Sequence, residues 1–331
     1  MPTMQAAFYQ RTGPAAEVLQ LGAVPVPEPA AGELRVHVQW SGVNPSDVKA
    51  RAGLRSSAMP FPRVVPHSDG MGVVDAVGPG VDAARIGQRV WLWNAAWGRA
   101  LGTAAQFVVL PQHQAVPLGD GVAGDAAACF GIPAMTALHA VLVDGGVAGK
   151  QVLVAGGAGA VGHYALQFAR LLGAAQVITT VSSAAKAEVA LAAGADTVIN
   201  YRSEAVAEQV RAATQGQGVD RIIEVDIAAN ATLNLELLRR GGECVVYGSG
   251  AANFSLPFFP LIAKNLGLRF FIVYNLAHDD RLRAQALLTR LLERGVVQHQ
   301  IAARLPLAEV ARAHALVEQG GAVGNVVLSV H

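Results

Sequence analysis

Two periodicities divide the chain. In the first third, short runs alternate apolar and polar residues and are separated by Gly and Pro. LRVHVQWSGV sets Val36, Val38 and Trp40 on one side. MGVVDAVGPG has a strand pattern ending in a Pro-Gly turn, and GQRVWLW and AAQFVVLP are two more strand patterns. Short strands between turn residues predict a compact, mostly antiparallel β domain. Near residue 125 the spacing changes to three and four, and GDAAACFGIPAMTALHAVLV reads as helix interrupted by a proline. From there strand and helix patterns alternate. QVLVAGG, QVITTV, DTVINY, GVDRIIEVD and ECVVYGS read as strands. AVGHYALQFARLLG (ending at Gly173), AAKAEVALAAG, SEAVAEQVRAATQG and ATLNLELLRRGG read as helices. This alternation predicts an α/β fold, a parallel sheet covered by helices on both faces and doubly wound by right-handed crossovers.

The tail carries a long Arg-rich helix, RLRAQALLTRLLERG, then a strand-like HQIAARLPL, a helix beginning at residues 307–308, and a closing strand NVVLSV. A late helix and strand of this kind can return to the first domain, which would then be discontinuous. The expected boundaries are 1–128 for the first part of the β domain, 129–274 for the parallel-sheet domain and 275–331 for the return.

Composition narrows the classes. A chain of 331 residues, 52% hydrophobic and 15% charged, is long and apolar enough for two ordinary cores. A net charge of +1 and the lack of a basic or aromatic-basic run argue against a nucleic-acid partner. The segment MPTMQAAFYQ is not patterned as a signal peptide, and no long uncharged apolar stretch predicts a membrane span, so a cytoplasmic enzyme is expected. Two isolated cysteines, Cys129 and Cys244, in apolar surroundings make neither a disulfide framework nor a Cys-rich zinc lobe.

The chemistry begins where QVLVAGG meets AVGHYALQFAR. Gly157, Gly159 and Gly162, with Ala158, Ala160 and Val161 between them, form G-x-G-x-x-G at a strand-to-helix junction. The expectation is that the first glycine permits the tight turn, the second lets backbone approach a pyrophosphate, and the third lets helix and strand pack closely. The helix N-terminus then offers free N–H groups and a positive dipole end. An NAD site places an acid at the end of the second strand; here Ser182 and Ser183 stand there, with Lys186 following. Hydroxyls and an ammonium suit a 2′-phosphate, so NADPH is the expected cofactor. Ser182 can equally cap the next helix, with Lys186 merely solvated.

With these residues placed, the chain resembles the zinc-independent quinone oxidoreductases of the ζ-crystallin type, in the medium-chain dehydrogenase/reductase superfamily. The resemblance runs through SGVNPSD, VVPHSDGMGVVDAVGPGV, AMTALHA, AGGAGAVG, GADTVINYR and GNVVL. It implies a GroES-like, mostly β domain beside a Rossmann domain, and a homodimer joined through Rossmann edges, for which LGLRFFIVYNL is a candidate. It implies that Tyr201 lies near the adenine, that Gly248 and Ser249 touch the nicotinamide side, that Phe271, Ile272 and Val273 reach the nicotinamide amide, and that Thr136 faces the ring. Asn325 stands at a cofactor position where relatives often carry Lys or Arg.

Zinc-dependent relatives place Cys, Gly-His-Glu and Cys around a catalytic metal. Here Asn44 stands at the first Cys position, Ser68 and Asp69 at the His-Glu positions, and His67 one residue early, on the opposite face of a strand. No metal is therefore expected. Without a Lewis acid, hydride transfer to a quinone or an α,β-unsaturated carbonyl fits better than alcohol oxidation. The expected catalytic residues are Asn44 and Asp47, with Lys49 and Arg51 nearby. The Asn44 amide would donate to the reacting oxygen, although Asn-Pro can equally shape a turn. Trp93, Asn94 and Trp97 could line the substrate cleft, and His163 and Tyr164 read as packing or surface groups. A convergence of Arg51, Arg55 and Arg63 would favour an anionic or CoA-bearing substrate, as in an enoyl-thioester or haloacrylate-type reductase. A third reading is an NADPH-binding protein without turnover, crystallin-like or RNA-binding.

Overall fold

The computed structural model describes residues 2–54 and 56–330, so Arg55 lies outside the described residues. The chain forms two compact units: residues up to Pro133 together with those from His299 onward, and Ala134–Gln298.

The first unit is built on a sheet ordered Ile301–Pro306, Asn325–Ser329, Glu33–Val43, Asp69–Val77, Arg89–Leu92, Ala115–Pro117, with Phe107–Pro111 also paired to Glu33–Val43. Ile301–Pro306 runs parallel to Asn325–Ser329; the other pairings in this sheet are antiparallel. Thr3–Phe8 and Gln20–Pro25 pair separately. Leu34, Val36 and Val38 point into one core with Val74, Val90, Val108 and Leu328. Each such burial contributes about 1.5–3 kcal/mol relative to exposure. Trp40 leaves the alternation. The register against Asp69–Val77 slips between Val38 and Trp40, and Ser41, Gly42 and Val43 are all buried.

The second unit holds a six-stranded sheet ordered Thr197–Asn200, Gln176–Val181, Gln151–Val154, Val219–Glu224, Leu238–Val246, Gly267–Phe270. Every pairing in it is parallel. The order reverses between Gln151–Val154 and Val219–Glu224, the switch point of a doubly wound sheet. Val219–Glu224 is buried along its whole length, including Arg221 and Glu224. Arg221 donates to the Val143 carbonyl at 2.8 Å, at the end of helix Met135–Leu142, and to Glu243 at 2.5 Å. It thereby pins that helix to the sheet.

Three expectations need correction. The long helix, His278–Glu293, belongs to the second unit, so the chain returns to the first only at His299 rather than 275. Its buried residues Arg281, Ala284, Leu288 and Leu291 share one face and pack on Met135–Leu142, a one-sided stripe that needs cover. The first crossing falls after Pro133 rather than 128. The helix at ATLNLELLRRGG also ends earlier, at Leu237. Residues 238–242 already belong to strand Leu238–Val246, because Gly241 (φ +74°) takes a conformation no helix uses.

Candidate functional site

All six strands of the second unit point the same way, so the segments that follow them gather at one edge. In an open α/β sheet this carboxyl edge is where ligands bind. The loop at residues 156–162 follows the first strand, Ser182 and Ser183 the second, Tyr201 the third, Gly248 and Ser249 the fifth, and Phe271, Ile272 and Val273 the sixth. Local sequence reading could not show this convergence; it is a consequence of parallel register.

The glycine loop divides its tasks differently from the expectation. Gly156 (φ +72°), not Gly157, supplies the left-handed turn. At Gly157 a Cβ would lie 2.1 Å from Thr179 Oγ1, and at Gly162 2.2 Å from the Gly156 carbonyl oxygen, so both are packing glycines. Gly159 is the exception. Its Cβ would meet only the Gly156 carbonyl oxygen, at 3.2 Å. It is the N-cap of helix Ala160–Leu171 with no side-chain cap, which leaves the first amides of that helix open to a ligand. Ala158, Ala160 and Val161 offer only backbone and small side chains here. This is a cradle that fits a pyrophosphate.

At the second strand the helix cap is Ser183 rather than the expected Ser182. Ser183 Oγ accepts from the Lys186 amide at 3.3 Å and caps helix Ala184–Ala192, while Lys186 Nζ donates to Ser182 Oγ at 3.1 Å. Tyr201 N–H donates to the Val181 carbonyl at 3.0 Å, which holds the backbone of this half-exposed residue at the end of the second strand. Arg202, in the same turn, is an exposed cation that the sequence reading passed over. Hydroxyls and cations without a carboxylate at the strand end match a phosphate.

At the far end of the edge, Gly248 packs against the Val225 carbonyl, where a Cβ would come within 2.2 Å. Asp226 accepts from the Gly250 amide at 2.7 Å, ordering the loop that contains Ser249. Phe271 N–H donates to Val246 at 3.1 Å, and the Phe271 ring meets His139 edge-on at 4.6 Å. Thr136 is buried one turn before His139 on the same helix. Burial holds the His139 pKa below its ordinary value. His163 and Tyr164 are buried, on Gln167 and Phe168 respectively.

In the first unit, Asn44 caps helix Pro45–Arg51 in a capping box with Asp47, whose carboxylate accepts from the Asn44 backbone N–H at 2.9 Å. The Asn44 side chain also donates to Asp69 Oδ2 at 3.0 Å. The turn-forming role is thus seen, and the same side-chain amide is held by Asp69. Burial pushes the Asp69 carboxyl well above the usual range, against the pull of the Asn44 amide. Arg51 turns away from this group. It is fully buried, donating to Gly13 O at 2.5 Å and Glu318 at 2.9 Å. Arg63 lies over the Phe8 ring at 5.3 Å. Of the three candidate arginines, the two described, Arg51 and Arg63, do not converge. Trp93 and Asn94 are buried and Trp97 is exposed, with Trp93 edge-on to His113 at 5.6 Å. Asn325 is buried too, and its side chain donates to Gln300 O at 3.3 Å within its own unit. Both thiols are buried and their pKa values pushed up, Cys129 and Cys244 alike.

Sequence reading missed a buried chain around His67. Thr103 Oγ1 donates to Asp69 O, Ser41 Oγ lies 2.8 Å from both Thr103 Oγ1 and His67 Nδ1, and His67 Nε2 lies 2.9 Å from His314 Nε2. Since the Thr103 proton is used, Ser41 donates to Thr103. His67 Nδ1–H then donates to Ser41, and His314 Nε2–H to His67. Both rings are neutral: burial puts His67 well below its ordinary pKa and His314 at about 3. Both His67 nitrogens are thus engaged, and the residue sits at φ +78°. Among the described residues no three His, Cys, Asp or Glu side chains form a metal-ligand set.

A Rossmann unit with an open phosphate cradle and a β unit that includes the chain's late strand Asn325–Ser329 together define a two-unit dinucleotide-dependent oxidoreductase. Residues 30–120 match the family described as the alcohol dehydrogenase GroES-like domain, and residues 160–291 the zinc-binding dehydrogenase family. The chain is 30% identical to a quinone oxidoreductase of Rattus norvegicus over 319 residues, covering 94% of each. It is also 30% identical to a 2-haloacrylate reductase of a Burkholderia species over 340 residues, covering 98% of each. A crystal structure of Escherichia coli quinone oxidoreductase with NADPH superposes with a TM-score of 0.88 at 27% identity, over 98% of this chain and 99% of that one. The chain belongs to the medium-chain dehydrogenase/reductase superfamily, on its quinone oxidoreductase branch.

Proposed function

We propose that this protein is an NADPH-dependent, zinc-independent reductase that transfers a hydride to quinones or α,β-unsaturated carbonyl compounds. The observation that carries the reading is the carboxyl edge of the parallel sheet. There an uncapped helix N-terminus at Gly159 and the Ser182–Lys186 pair lie along one border with the 271–273 segment. Bound NADPH supplies the hydride. The amides at the start of Ala160–Leu171 hold the pyrophosphate, and Ser182, Ser183 and Lys186 hold the 2′-phosphate, with Tyr201 against the adenine. Gly248, Ser249 and residues 271–273 set the nicotinamide, with Thr136 on its face.

Asn44 is the proposed electrophilic donor. One Nδ2 hydrogen is held by Asp69, which fixes the amide plane, and the other is directed to the acceptor's oxygen as it gains charge. Asp47 orients Asn44 through the capping box, and water supplies the final proton. The donor set around Asn44, Ser68 and Asp69 suits hydrogen bonding rather than metal ligation.

A haloacrylate or enoyl-thioester acceptor is the second reading, supported by the similarity to a 2-haloacrylate reductase. The dispersal of Arg51 and Arg63 favours the neutral acceptor. The protein is further proposed to be cytoplasmic and a homodimer. No helix among the described residues is long and apolar enough to cross a membrane. Phe258 and Phe259 are 72% and 73% exposed near the edge strand Gly267–Phe270, an apolar surface that a second copy would cover.

The test is oxidation of NADPH with a quinone and an enone side by side, in chelator, with NADH as control. Turnover is expected with NADPH and chelator present. Activity lost to chelator would overturn the metal-free mechanism. NADPH binding without turnover on either acceptor would favour the non-catalytic binding protein.

A further inference from the structure

Beyond residue 270 the sixth strand leaves the sheet, and residues 271–275 run as an irregular segment with a single 3-10 turn. Only Phe271 still donates to the neighbouring strand, through its N–H to Val246 O at 3.1 Å. Such a segment needs side-chain anchors to hold one conformation. Two helices supply them. From Met135–Leu142, His139 meets the Phe271 ring. From the first turn of His278–Glu293, the guanidinium of Arg281 donates to the Val273 carbonyl, and the same nitrogen lies 3.5 Å from the Tyr274 carbonyl.

Arg281 is 6% exposed, and burial lowers its pKa to about 10. Burying a guanidinium costs free energy that a leucine at this core-facing position would not incur. A guanidinium nitrogen carrying two hydrogens can hold two successive carbonyls together, which an apolar residue cannot do.

We propose that Arg281 is a positioning residue for hydride transfer, fastening the Val273 and Tyr274 carbonyls so that residues 271–273 keep the backbone shape that seats the nicotinamide amide. The inference rests on the reading that these residues receive the nicotinamide. It assigns helix His278–Glu293 a part in catalysis through geometry, without contact to substrate.

The experiment has two arms. In the wild-type protein, amide hydrogen exchange of residues 271–275 is compared with NADPH, with 2′,5′-ADP and with no ligand. Protection by NADPH but not by the adenosine half supports the nicotinamide reading, and equal or no protection by either overturns it. Arg281→Lys and Arg281→Met are then assayed for turnover, for NADPH affinity and for 2′,5′-ADP affinity. Expected are a fall in kcat of roughly 10- to 100-fold in Arg281→Met with a smaller fall in Arg281→Lys, and 2′,5′-ADP affinity within about twofold of wild type. A merely structural residue would weaken both ligands together or change neither kcat nor either affinity, and either result overturns the proposal. If Arg281→Met does not fold, Arg281→Lys is read alone against the same criteria. Exchange protection with unchanged turnover in the variants would leave the nicotinamide reading standing and remove Arg281 from it.

Discussion

Gly159 and Gly162 lie three residues apart in one motif, yet they should fail in different ways. At Gly162 an added Cβ would lie 2.2 Å from the Gly156 oxygen, 2.8 Å from its carbonyl carbon and 2.9 Å from Gly157 Cα. All three are backbone atoms, so relief requires helix Ala160–Leu171 to lift from the turn by about 1 Å to reach ordinary contact distances. Overpacking of this kind costs about 1–3 kcal/mol. For a unit of this size that lowers the thermal midpoint by about 2–12 °C. Gly159 has an extended backbone, φ −79° and ψ 172°, which any residue adopts, and its one close neighbour at 3.2 Å needs to give by a few tenths of an ångström. The loss of a good N-cap, about 1 kcal/mol, is offset by about 0.4–1 kcal/mol from the stiffer unfolded chain. Gly159→Val should therefore keep its midpoint within about 4 °C. Its isopropyl group would instead fill the approach to the open amides. At least a 100-fold loss of NADPH affinity is expected, about 2.7 kcal/mol. Differential scanning calorimetry and a fluorescence titration on both variants separate the effects. Undiminished NADPH binding by folded Gly159→Val would refute the placement of the pyrophosphate, and an unshifted midpoint in Gly162→Ala would refute the packing account.

Ser182→Asp puts a carboxylate where the 2′-phosphate is proposed to sit. One unit-charge repulsion at 4 Å near a surface is about 4 kcal/mol before screening, so the NADPH-to-NADH preference in kcat/KM should fall at least about 10-fold. An unchanged ratio would move the phosphate elsewhere. The His67–His314 pair makes the first unit acid-sensitive. Both rings titrate near 6.5 when unfolded, but in the fold His67 is held well below that and His314 at about 3. Stability is therefore fully present above about pH 6.5. It is lost as pH falls, by up to about 1.4 kcal/mol per pH unit for each ring. The urea midpoint should drop between pH 6.5 and 4.5, and more shallowly in His314→Gln; identical slopes would assign the acid lability to other groups. Phe258→Asp with Phe259→Asp should convert the proposed dimer to monomer in analytical ultracentrifugation, whereas an unchanged mass would overturn the placement of the interface on this face.

Much of the architecture is local and was therefore legible in sequence. The change from alternating to three-and-four spacing near residue 125 marks the onset of the helical pattern, and strand–helix alternation implies a parallel sheet because each short strand must be covered on both faces. The glycine spacing after QVLVAGG, and the serines where an acid would stand, are properties of neighbouring residues. Other features needed the fold, because they depend on contacts that no local pattern encodes. The left-handed turn lies at Gly156, and Gly157 is required instead because Thr179, on the next strand, leaves no room for a side chain there. The long helix stayed with the second unit because the stripe Arg281, Ala284, Leu288 and Leu291 found its partner in Met135–Leu142. Asn44 acquired its orientation from Asp69, 25 residues on, and His67 its tautomer from Ser41, 26 residues back, which in turn fixes that of His314, 247 residues on. Composition and periodicity determined which elements form and which can bury a face. Which polar side chains meet inside those faces, and so which are fixed, buried and neutral, was decided only when the strands and helices closed over them.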